Sequence, residues 1–184
     1  MKGSKHFVLA LLLLVTGASF IFADAVPKAS MAFRSDEEIV TDFVRAFRSK
    51  VPGRSLFNYV SVRSDNGNLV ISGKVRDAYI KDRASDAAEK VKGVQSITNR
   101  IEILPTSHFD DQLRLKIYRR LSRDPILSRY FLGTYADINI IVENSRVTLV
   151  GNVTSKVDKA VAASRLRGLS GVLSVDNQLI VDRS

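Results

Sequence analysis

The sequence contains no cysteine. Disulfide staples, thiolate metal sites and cysteine nucleophiles are therefore excluded. A lipoprotein anchor is excluded with them, because no thiol follows the apolar N-terminal run. Histidine is almost as scarce. There are two, His6 and His108, and a lone linker histidine is a poor start for a metal site. The short motifs of catalysis are missing too: no G-x-S-x-G and no H-E-x-x-H. The stretch Gly168-Leu-Ser-Gly171 lacks the lysine that would follow in a phosphate loop. Carboxylates are scattered. The reading is a protein that is not an enzyme, with no catalytic residue, cofactor or metal ligand assigned.

Positive charge is in excess. The formal net charge is +9. Residues 1–25 read as a secretory signal: Lys2 and Lys5, then an apolar core from Phe7 to Phe22, then Ala23-Asp24-Ala25 as an A-x-A cleavage site. Removing Lys2, Lys5 and Asp24 leaves 26−18, or +8. That excess favours anionic partners: phospholipid head groups, other acidic polymers or nucleic acid. Export counts against nucleic acid as the physiological partner.

One stretch occurs twice. Asn68-Leu-Val-Ile-Ser-Gly-Lys-Val75 returns as Arg146-Val-Thr-Leu-Val-Gly-Asn-Val153, and Gly93-Val94 with Asn99 returns as Gly171-Val172 with Asn177. The offset is constant: 151−73, 171−93 and 177−99 all give 78. The chain is thus a tandem repeat of one unit. In the first unit, Ser35 and Glu38 form a capping box opening a helix whose stripe is Ile39, Phe43 and Phe47. Pro52-Gly53 ends that helix region. Phe57 to Val62 alternates as a strand, and Asp65-Asn66-Gly67 is a hairpin turn. Leu69, Ile71 and Val75 point inward on the return strand, where Gly73 signals close approach of another backbone. A helix from about Asp77 to Val91 follows, then a strand with Ile97, Ile101 and Ile103. The second unit repeats the order, with Asp110 or Asp111 expected as helix cap and four extra residues in the loop around Asp124-Pro125.

Asp36 with Ile39, the Asn68–Val75 run, the alanine-rich helix and Gly93-Val94-x-x-Ile97-x-Asn99 together resemble the BON domain, named for osmotically inducible and nodulation proteins of bacteria. Asp111 to Asn177 resembles a second copy. The resemblance implies an α+β fold of two repeats, residues 35–104 and 109–182. Each would run helix-strand-strand-helix-strand, with a three-stranded sheet covered on one face by two helices. It also implies a periplasmic protein, exported by its signal and open to peripheral envelope association, with a role in envelope maintenance or osmotic-stress tolerance and a proposed ability to bind phospholipid.

A surface on the second unit is the candidate site. Advancing 100° per residue from Leu113, the residues Leu113, Ile117 and Leu121 share a stripe about 80° wide, and Lys116, Arg119, Arg120 and Arg123 fall between about 240° and 340°. The loop Asp124–Tyr135 follows, carrying Ile126, Leu127, Tyr130, Phe131, Leu132 and Tyr135. Cations beside aromatic rings suit an anionic lipid interface. The expected lipid-binding set is Lys116, Arg119, Arg120, Arg123, Tyr130 and Phe131. The alternative is that the rings cover a sheet edge or the junction between units. A second functional class stays open: a protein-interaction or chaperone-like module using the Ile126–Tyr135 loop to bind another envelope protein.

Overall fold

A computed structural model describes residues 34–51, 56–133 and 136–182. The expected signal at 1–25, Pro52-Gly53 and Tyr135 lie outside the described residues. Helix α1 (Asp36–Lys50) starts at Ser35, whose hydroxyl accepts the Glu38 N–H while the Glu38 carboxylate accepts the Ser35 N–H. Three acidic residues in its first turn and Arg48 and Lys50 in its last both suit the helix dipole. Strand β1 (Tyr59–Asp65) turns through Asn66 and Gly67, at φ 49° and 77°, into antiparallel β2 (Asn68–Val75). Two successive positive φ angles make the primed turn that matches strand twist. Helix α2 (Ala78–Ala88) carries the chain over to β3 (Ser96–Ile103), which pairs parallel with β2.

The second unit repeats this. It runs α3 (His108–Ser122), a 3₁₀ turn (Ser128–Phe131), β4 (Ile138–Glu143), β5 (Arg146–Val153), α4 (Lys156–Ser164) and β6 (Ser174–Val181). Sheet orders are β1-β2-β3 and β4-β5-β6. The inward residues Leu69, Ile71 and Val75, and Val147, Leu149 and Val153, are all buried. Gly73 and Gly151 hold φ of 137° and 126°. A Cβ there would lie 2.0 Å from the Tyr59 carbonyl oxygen or 1.9 Å from that of Asp137. Only glycine fits.

Two local expectations need correction. The cap of α3 is Ser107, whose hydroxyl accepts the Asp110 N–H at 3.2 Å. Asp110 instead reaches across to the hairpin turn, accepting the N–H groups of Asn144 and Ser145 at 2.9 Å each. Asp36 does the same for Asn66 at 2.8 Å and Gly67 at 3.0 Å, and also accepts the Ser64 hydroxyl. The aspartates are 74 apart and the turns 78 apart, and the difference is the four-residue insertion between them. Helix α2 stops at Ala88, and Val91 is held by a turn bond to the Ala88 carbonyl.

The units meet through their sheets. Leu56, just ahead of β1, is buried in the second unit's core, and its carbonyl accepts the Ile140 N–H at 2.8 Å. Leu104, Ile141 and Val150 form a buried cluster with Tyr59 packed on it. Ile141 and Val150 lie on the face of the second sheet turned away from its helices. Lys74 meets Glu143 at 2.5 Å, and Arg76 meets Asp111 at 3.0 Å. Asp111 also pairs with Arg114, a fully buried arginine whose guanidinium donates to the Val142 carbonyl.

Candidate anion-binding site

Helix α3 presents its cations as the spacing predicts. Leu113, Ile117 and Leu121 are buried, while Lys116, Arg119, Arg120 and Arg123 are exposed along one flank. That flank forms one wall of a hollow of about 410 Å³. Arg165 and Leu169, from the end of α4 and the turn after it, form the other wall, and Asp124 and Pro125 close one end. Arg165 is a site residue that sequence reasoning missed. Its signal is weak in one dimension, because only the packing of α4 beside α3 brings it there.

The cations are not equivalent. Lys116 donates to the Ser170 carbonyl at 2.8 Å, which fixes its ammonium at the α4 side. Arg165 Nε donates to Asp124 at 2.6 Å. Burial opposes ionisation of Asp124, but the N–H groups of Ile126 and Leu127 and the Arg165 guanidinium hold its carboxyl below the usual range. Arg119, Arg120 and Arg123 make no ion pair among the described residues. Five cations and one acid leave four positive charges around one opening.

The expectation for Tyr130 and Phe131 is corrected. Both rings are buried, at 4% and 3% exposure. Phe131 packs edge-on against Tyr118 with centroids 5.8 Å apart. The Tyr130 hydroxyl donates to Asp158 at 2.7 Å and accepts the Thr154 N–H at 2.9 Å. Leu127 is buried with them, and of the loop's apolar residues Ile126 and Leu132 are exposed. The alternative interaction loop therefore has no outward ring at 130 or 131. The exposed ring beside the cations is Phe109, at 57%. Four residues before Leu113, minus 40° on the same count, it stands at about 320°, within the cationic flank. Its ring lies over Gly171, where a Cβ would sit 3.4 Å from it.

Among the described residues the first unit has no such surface. The positions matching Lys116, Arg119, Arg120 and Arg123, each 74 lower, are Asp42, Arg45, Ala46 and Ser49. The position 78 below Arg165 is Ala87. Asp42 pairs with Arg34 at 2.7 Å and with Arg45 at 2.9 Å. Charge at this place is thus a property of the second unit. Among the described residues no helix is long and apolar enough to cross a membrane.

The BON-domain profile matches residues 36–105 and again 109–183. The outer membrane lipoprotein DolP of Haemophilus influenzae is 29% identical over 123 residues. That match covers 63% of this chain and 61% of the relative, so the chain spans less than two thirds of that protein's length. Among solved structures, the C-terminal domain of CdsD, a structural protein of the type III secretion system of Chlamydia trachomatis, aligns at 11% identity. The alignment covers 82% of this chain and 100% of that one, with a TM-score of 0.28.

Proposed function

The chain belongs to the BON-domain family, and from that we propose that it is a non-enzymatic cell-envelope protein that binds anionic phospholipid through the hollow between α3 and the end of α4. Support of envelope integrity or osmotic-stress tolerance is the role this reading gives it. The observation that carries the reading is the convergence of Lys116, Arg119, Arg120, Arg123 and Arg165 on one opening, three of them without an acid partner among the described residues. The DolP relative is named a lipoprotein. This sequence has no cysteine, and the attachment proposed here is through surface chemistry.

The magnitudes are modest. A cation near an anionic leaflet contributes about 1 kcal/mol, so a net four give about 4. That corresponds to a Kd of about 1 mM before salt screening. Inserting the exposed part of Phe109 adds about 1–2 kcal/mol. The result is reversible, salt-sensitive docking. The test is co-sedimentation with phosphatidylcholine vesicles with and without phosphatidylglycerol. Binding is expected only to the anionic vesicles, weakening as salt rises, and falling more than tenfold for Arg119→Glu with Arg120→Glu. Equal binding to both vesicles, or no loss in the double variant, overturns the proposal.

A further inference from the structure

The two units differ at a second place. In the second, the groove between its first helix and its edge strand is filled. Leu127, Tyr130 and Phe131, together with Leu56, are buried in the cluster that holds Ile117, Leu121, Ile138 and Ile140. The matching positions in the first unit are 117−74, 121−74, 138−78 and 140−78, which are Phe43, Phe47, Val60 and Val62. Among the described residues no turn fills the space there. Phe47, Val60 and Val62 are only partly buried, and with Val44 they line an open hollow of about 220 Å³. Phe43 and Phe47 stack at 5.8 Å along its helix side.

Size and continuity say what belongs there. Small-molecule sites run to roughly 300–1,000 Å³, so this space suits a few side chains carried in on a polypeptide. Its far end is formed by Ala136 and Asn139. Those residues belong to the seam where Leu56 already accepts a backbone hydrogen bond from edge strand β4. The groove is thus continuous with an existing interface built by laying chain along a sheet edge. Strand β1 is the corresponding edge of the first sheet, with no strand partner on its outer side among the described residues.

We propose that the α1–β1 groove is a docking site for an extended segment of another protein, one that runs along the edge of β1 and inserts an apolar-aromatic cluster of the kind that Leu127, Tyr130 and Phe131 supply in the second unit. Edge addition supplies affinity through main-chain hydrogen bonds, and the groove supplies specificity through alternate side chains. The groove lies mainly on the first unit and shares no lining residue with the cationic hollow, so the two readings stand or fall separately.

The probe is a synthetic peptide of residues 124–133, titrated into the isotopically labelled intact protein. Amide shifts are expected at residues 43–48 and 59–64, saturating at submillimolar peptide. Val44→Glu, a partly exposed position, should weaken binding at least tenfold while the second unit's amide spectrum stays in place, which reports that the variant is folded. No shifts, shifts confined to the second unit, or undiminished binding by Val44→Glu overturns the proposal. Two further outcomes overturn it by naming another occupant: a dimer that Val44→Glu dissociates, or neutral-vesicle binding that Val44→Glu abolishes.

Discussion

Asp158 stays ionised although it is buried at the start of α4. The Tyr130 hydroxyl is the largest cause, and the hydroxyls of Ser155 and Thr154 and the Arg129 guanidinium add to it against the effect of burial, holding the carboxyl at about 2. Tyr130 reaches it at 2.7 Å and Arg129 at 2.6 Å. The guanidinium also sits 5.0 Å from the Tyr130 ring centre. This single carboxylate pins the 3₁₀ turn to α4. An unfolded aspartate titrates near 3.9, so as pH falls the unfolded chain takes up the proton first. The stability that Asp158 contributes is therefore complete above about pH 4 and lost as pH falls toward 2. Asp158→Asn is expected to cost about 1.5–3 kcal/mol at neutral pH, the range for a hydrogen bond to a charged group. Urea denaturation across a pH series should show the gap between variant and parent closing between about pH 4 and 2. A gap that stays constant through that window would remove the carboxylate from this role.

Within each unit, the first helix and the hairpin are joined by one aspartate. Asp110 is 3% exposed, and its two oxygens take the N–H groups of Asn144 and Ser145, both at positive φ of 50° and 62°. Asp36 makes the matching bonds but is partly exposed. Deleting a buried acceptor leaves two donors without partners, whereas water can replace an exposed one. Asp110→Ala is therefore expected to destabilise by about 2–4 kcal/mol and Asp36→Ala by about half of that, as read by thermal or denaturant unfolding. Equal costs would mean burial is not what decides. The sequence shows these aspartates only as a first-turn acid and a cap candidate, because the partner turn is thirty or more residues away. The capping box at Ser35, the Asn66-Gly67 turn and the apolar alternation of β2 are all local chemistry, and they are legible directly. For Tyr130 and Phe131 the sequence leaves two readings open, rings facing lipid or rings covering a sheet edge, and their burial selects the second. A long polar-flanked loop with rings reads as surface, and nothing local says that the inserted residues let it fold back over the edge of β4. The constant offset held the missing signal. An insertion confined to one of two equal units, rich in apolar residues, has a groove in its sibling to be compared with.

Across the whole chain, the question is what makes two small units one body. Each is about 70 residues long, a size that is marginal alone because it buries only about 60% of its unfolded surface. The seam offers two kinds of contact. Lys74–Glu143 is well formed, but its side chains are 38% and 36% exposed, and such pairs are worth about 0–1 kcal/mol. Ile141 is 4% exposed, clustered with Leu104 and Val150 across the join, and truncating a buried isoleucine to alanine costs about 2–5 kcal/mol. The apolar contact should therefore carry the coupling and the ion pair should set orientation. Denaturant unfolding of Ile141→Ala is expected to show a loss of at least 2 kcal/mol, with a broadened or divided transition as the units part. Lys74→Ala should lose less than about 1 kcal/mol and keep a single transition. If both variants unfold in one sharp step at equal cost, the units are held by something other than this cluster. The buried Arg114, which ties the second unit's helix and strand to Asp111 and through it to Arg76, is then the contact to break next.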